Sequence, residues 1–129
     1  MLRACKRLLR PGGKIAFYTI FIPSGLSSPE YRRAARSGPA AVTSRRREQG
    51  DLLRSAGFAR IEETDVTGDF LRTTRAWREA RARYAGELIE AEGEALFLDR
   101  QRDYLRQARA IEAGLLRRAL FVGESATPA

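Results

Sequence analysis

The sequence predicts an α/β fold, part of a doubly wound sheet interrupted by a long helical insertion. Three observations carry that expectation. Leu8-Leu9-Arg10 runs through Pro11-Gly12-Gly13 into the apolar stretch Ile15 to Ile22, a helix end and a turn that open a strand. An almost unbroken apolar run of strand length suits a parallel strand covered on both faces. A second strand pattern follows a leucine-bearing helix that stops at Gly57. From Phe70 to Gly114 the chain has no proline and a helical period.

Residues 2–10 form a short helix, with Leu2, Cys5, Leu8 and Leu9 on one face and arginines on the other. The first strand, about 14–22, stops at Pro23-Ser24-Gly25. Ser27 and Glu30 have capping-box spacing, while Pro29 would suit the first helical position behind Ser28. A short helix starts there in either case and ends at Gly38-Pro39. Residues 43–47 form a connector, and a helix over about 48–56 presents Leu52 and Leu53 before Gly57, a good left-handed terminus. Residues 59–67 make a short strand whose Glu62 and Glu63 suit a sheet edge.

The insertion spans 70–115. Leu71, Thr74, Trp77, Ala80, Tyr84 and Leu88 recur at helical spacing as one stripe, with the favourable pair Glu79 and Arg83 opposite. Gly93 breaks the stretch into two helices, the second carrying Phe97, Tyr104 and Ile111. A last strand covers 116–124, and 125–129 is a disordered tail. The organisation is a single partial domain: a strand-helix-strand core at 1–69, the hairpin at 70–115 and the final strand.

Composition removes several function classes. The chain is 43% hydrophobic, which argues against intrinsic disorder. Its longest apolar run is strand-length, against the ~20 residues of a membrane span, and no secretory core follows the basic start. A cytoplasmic location is expected. The lone Cys5 excludes an internal disulfide, and its place on an apolar face predicts a packed thiol. Without histidine there is no Ser-His or Cys-His nucleophile pair, and no metal is expected. Asp65 and Asp69 straddle a strand end, where capping or solvation fits better than paired-carboxylate chemistry.

The net charge of +8 is uneven. Residues 1–54 hold twelve basic against three acidic residues, and 55–129 hold twelve against thirteen. Such clustering invites a nucleic-acid reading through Arg45-Arg46-Arg47. Yet 22 of the 24 basic residues are arginine, a bias spread over the whole chain, and no aromatic–basic interleaving accompanies it. A solvated basic face is the better account, and nucleic acid is not expected as a partner.

Two motifs in order resemble a known family. Leu9-Arg10-Pro11-Gly12-Gly13-Lys14 and its apolar strand look like the junction into the fifth strand of class I S-adenosylmethionine-dependent methyltransferases, whose fold is Rossmann-like. Asp51-Leu52-Leu53-Arg54-Ser55-Ala56-Gly57-Phe58 and the strand after it are similar to that family's helix and sixth strand, and Leu120-Phe121-Val122-Gly123 to its last strand. The resemblance implies a sheet in which the last strand runs antiparallel between the other two. It also implies S-adenosylmethionine as cofactor, a small-molecule methyl acceptor, and a hairpin serving as a lid. The family's glycine-rich loop has no counterpart, for the eleven glycines never form Gly-x-Gly. No cofactor-binding residue is therefore assigned. The expectation is a C-terminal, substrate-side part of such an enzyme, inactive alone.

Ligands of open α/β sheets sit outside the carboxyl ends of the strands. In the resembled family this puts Tyr18, Thr19, Phe21 and the Pro23-Ser24-Gly25 loop beside the substrate, with Trp77 and Tyr84 facing it from the lid. Packing against neighbouring helices accounts for the same residues, and no catalytic residue is assigned. The competing class is a non-catalytic module that associates, with itself or a partner, through its open sheet edge or its hairpin.

Overall fold

The computed structural model describes residues 1–39 and 49–126. The described elements are α1 (Leu2–Leu8), β1 (Lys14–Phe21), α2 (Ser28–Ser37), α3 (Gln49–Ser55), β2 (Phe58–Asp65), α4 (Thr67–Arg83), α5 (Ala85–Glu92), α6 (Glu94–Glu112) and β3 (Arg117–Ser125). The strands form one sheet in the order β1-β3-β2, with β3 antiparallel to both neighbours. This is the expected partial doubly wound arrangement. Because β3 takes the centre, β1 and β2 are both edges.

Alternation along β3 separates two layers. On one face Phe121, Ala119, Leu53 and Phe58 form a core to which α1 contributes Leu2 and Cys5, and β1 contributes Ile15, Phe17 and Phe21. Phe17 and Phe121 stack across the strands at 5.5 Å. On the other face Ile22, Phe70, Ala110, Ile111, Leu115 and Leu116 form a second core with Ala34 of α2. That second layer covers only the carboxyl end of β1. Ala16, Tyr18, Leu120 and Val122 share its face and join neither core. The expectation of a strand covered on both faces is thus met along one face and only at the carboxyl end on the other.

Local signals explain most boundaries. Ser27, not Ser28, caps α2: Glu30 N–H donates to Ser27 Oγ at 3.3 Å and Ser27 N–H to Glu30 Oε1 at 3.0 Å. Gly57 ends α3 with φ +98°, in the left-handed region. The β2–β3 register slips between Ala59 and Glu62, where Arg60 adopts φ +50°. The expected connector at 43–47 lies outside the described residues, as do residues 127–129 of the tail expected at 125–129. Ser125 instead belongs to β3 and is buried where it pairs with Phe58.

Three expectations need correction. Leu8 is 86% exposed, because α1 ends there and Leu9 turns inward instead. The insertion comprises three helices, since the chain breaks at Tyr84 as well as at Gly93. Its stripe is also rotated from the expected one. The buried residues of α4 are Phe70, Thr74 and Arg81, while Trp77 and Tyr84 are 57% and 56% exposed. Polar contacts set that rotation. Thr74 Oγ1 donates to the Phe70 carbonyl and meets Gln107 Oε1 of α6 at 3.2 Å. Arg81 forms a bidentate pair with Glu92 at 3.0 and 2.8 Å.

Candidate functional site

The carboxyl ends of β1 and β2 come together with the start of β3, and the sheet alternation splits the expected site residues. Thr19 and Phe21 lie on the α1/α3 face, opposite Ala119 and Arg117 of β3. Tyr18 lies on the other face, opposite Leu120 and diagonal to Arg118. Trp77 and Tyr84 stand on the exposed side of the insertion, and nothing in the structure joins them to Tyr18.

Two clefts open on the α1/α3 side of the sheet. Phe21, the Pro23-Ser24 loop, Glu63, Asp65 and Arg117 line one of about 220 Å³ at the strand ends. A wider open groove of about 590 Å³ follows the outer side of β1 between the starts of α1 and α3, with Leu2, Phe17, Thr19 and Leu52 in its walls. On the opposite face the guanidinium of Arg118 lies 4.1 Å from the Tyr18 ring centroid and 5.8 Å from that of Phe70. Sequence reasoning missed Arg118 and Phe70. The signal was an arginine at a position whose strand neighbours Leu120 and Val122 are apolar.

The backbone holding Arg118 is tightly fixed. Its carbonyl accepts from Val66 N–H at 2.9 Å, and its N–H donates to Thr67 Oγ1 at 3.2 Å. Thr67 in turn donates through its N–H and its hydroxyl to Asp65 Oδ1, at 2.9 and 2.5 Å. The Thr67 hydroxyl and N–H hold the Asp65 carboxyl below the usual carboxylate range, helped by nearby Arg117. Asp65 therefore has the helix-start role expected for it. Asp69 pairs with Arg72 on the exposed side of α4.

A cofactor bearing a carboxylate and a ribose needs free N–H groups at a strand-to-helix turn. Two such turns are described, and both are occupied by their own side chains. Glu30 takes the Ser27 N–H after β1, and Asp65 takes the Thr67 N–H after β2. Neither of these two N–H groups is free for a cofactor's carboxylate. Among the described residues no cluster of three or more Cys, Asp or Glu could hold a metal, and no helix is long and apolar enough to cross a membrane.

No family model matches the chain, and no curated protein matches it in sequence. Solved structures match it throughout. Phosphoethanolamine N-methyltransferase 2 of Haemonchus contortus, in complex with phosphomonomethylethanolamine and S-adenosylhomocysteine, superposes with a TM-score of 0.83 at 15% identity over 98% of this chain. The fold is that of S-adenosylmethionine-dependent methyltransferases, in part. A Galdieria sulphuraria protein assigned as a sarcosine dimethylglycine methyltransferase gives 0.77 at 12% identity over 99% of the chain. The cyclopropane synthase MmaA2 of Mycobacterium tuberculosis gives 0.73 at 15% over 95%. This chain spans only 29%, 47% and 48% of those three proteins, respectively. The methyltransferase fold it carries is a portion of theirs.

Proposed function

We propose that this chain is the C-terminal, acceptor-side part of an S-adenosylmethionine-dependent methyltransferase acting on a small molecule, and that it needs a cofactor-binding half to turn over. One observation carries the reading: 98% of the chain superposes on 29% of a methyltransferase with a TM-score of 0.83. The two occupied strand-to-helix turns agree with it, since the cofactor would be held elsewhere. The sulfonium cofactor supplies the electrophile in such reactions, so the protein has to orient the acceptor and exclude water. In this chain the face built by Tyr18, Phe70 and Arg118 is suited to the first task. Trp77 and Tyr84 could serve the second only if the insertion swings their exposed rings toward an acceptor.

The test is the intact mass of the native protein, followed by a transfer assay on the protein so purified. The expected result is a polypeptide longer than these 129 residues, or the 129-residue chain with a bound partner, that forms S-adenosylhomocysteine when given small amines and their acidic derivatives. A lone chain of this length that forms none would overturn the reading.

A second reading has its own support. Among the described residues β1 pairs only with β3, and Ala16, Tyr18, Leu120 and Val122 lie outside both cores. A bare edge beside a partly covered face suits a non-catalytic association module. The mass measurement separates the two, because a module would run as an oligomer of the 129-residue chain without transfer activity.

A further inference from the structure

We infer that Arg118 is a seat for a small oxyanion, a carboxylate or a phosphate carried by the methyl acceptor. The identity of that carrier rests on the function proposed above, but the anion site itself does not. The inference starts from a contrast between two arginines. Among the described residues every arginine is exposed except Arg81 and Arg118. Arg81 is answered by a carboxylate, since both its terminal nitrogens reach Glu92. Arg118 has no carboxylate within ion-pair distance among the described residues, and this is the contrast, since the Nε of both arginines is buried without a hydrogen-bond partner. A half-buried guanidinium without a counter-charge is favourable for an anion, which would reach its terminal nitrogens, these not being among the sealed, unpartnered atoms.

The surroundings are built for that ligand. Tyr18 presents its ring face to the guanidinium at 4.1 Å, with Phe70 beyond at 5.8 Å, which fixes the guanidinium plane without consuming its N–H donors. The strand beneath is clamped by Val66 and Thr67. A stacked, pre-oriented fork is the geometry that takes a carboxylate or phosphate in bidentate fashion, which a lysine cannot match. Its place is the carboxyl end of β1, where Ile20 and Arg118 are register partners. Ligands of open α/β sheets bind at that end.

The experiment is an NMR titration of the 129-residue chain, following arginine Nε–H signals at constant ionic strength, with inorganic phosphate in one arm and acetate in the other. The Arg118 signal is expected to shift saturably in at least one arm, and the arm that saturates first names the oxyanion. Arg118→Met should abolish the effect, Arg118→Lys should weaken the apparent affinity roughly tenfold, and Arg75→Met should leave it unchanged. Equal, non-saturating shifts at every arginine would overturn the site. So would saturation that survives in Arg118→Met. Should the methionine variant lose its folded spectrum, the lysine variant decides, because undiminished binding there excludes the stacked fork. Phosphate binding without any methyl transfer by the native protein would sink the proposed function and leave the site standing. Transfer without anion binding would do the reverse.

Discussion

The insertion and the sheet solve their polar problems differently. Within α4, α5 and α6 the charges are answered locally, although Arg81 Nε and Gln101 Oε1 stay buried without a hydrogen-bond partner. Glu92 receives Arg81 and Arg100, Gln107 meets Thr74, and Gln101 donates to the Arg78 carbonyl. The hydrogen bonds from Arg81 hold Glu92 below the usual carboxylate range and raise Arg81 above its own. Among the described residues the sheet instead has two edge strands, an apolar face covered only in part, and a half-buried arginine without a counter-charge. A region that closes on itself can persist as a unit. One that leaves edges, faces and charges open is shaped by what is to meet it.

The largest expected effect tests the sheet's single closed layer. Phe121 is fully buried and stacked on Phe17, so Phe121→Ala should cost about 3–5 kcal/mol, read as a fall in the urea midpoint. Trp77→Ala should change stability by no more than about 0.5 kcal/mol. A large loss from the tryptophan would mean that the stripe expected from sequence packs in solution after all.

Self-association comes next. The 129-residue chain should elute as a dimer or larger through the free side of β1, and Ala16→Lys should return it to monomer on size exclusion with light scattering. A cooperatively melting wild-type monomer would show that the edge is protected, and the comparison would fail at that point.

Smaller effects sharpen the hairpin side. Glu92→Gln should lower the thermal midpoint clearly more than Asp99→Asn, because Glu92 answers a buried arginine and Asp99 only an exposed one. The smallest is a pH effect at the start of α4. Asp65 is depressed in the folded state, so its contribution is complete above its unfolded value of about 3.9. It is lost as pH falls through the lower folded value. Thr67→Val should raise the Asp65 titration midpoint toward that unfolded value, as followed by carboxyl NMR.

What could be read from the chain was what local chemistry writes. Pro11-Gly12-Gly13, Gly57 and Gly93 mark turns through backbone conformations few other residues accept, and all three sit at element boundaries. The β1-β3-β2 order was legible through the family resemblance. The rotation of α4 was not, because Arg81 is buried by a carboxylate eleven residues away, and periodicity treats arginine as an outward residue. The site was half legible. Tyr18 follows from its strand end, but its pairing with Arg118 depends on an antiparallel register that brings together residues a hundred positions apart. Thr19, Phe21, Trp77 and Tyr84 fell on other surfaces, since successive strand residues point to opposite sides.

The central place of β3 also governs when this protein can fold. β1 and β2 never touch through backbone pairing, and each meets only residues 117–125. During synthesis both strands emerge from the ribosome with no partner in this chain and wait while the whole three-helix insertion is made. Helices can form during that wait, being local, but the sheet is a late, long-range event. Within these residues nascent β1, with Ile15, Phe17, Ile20 and Phe21, has no strand to pair with until 117–125 are made.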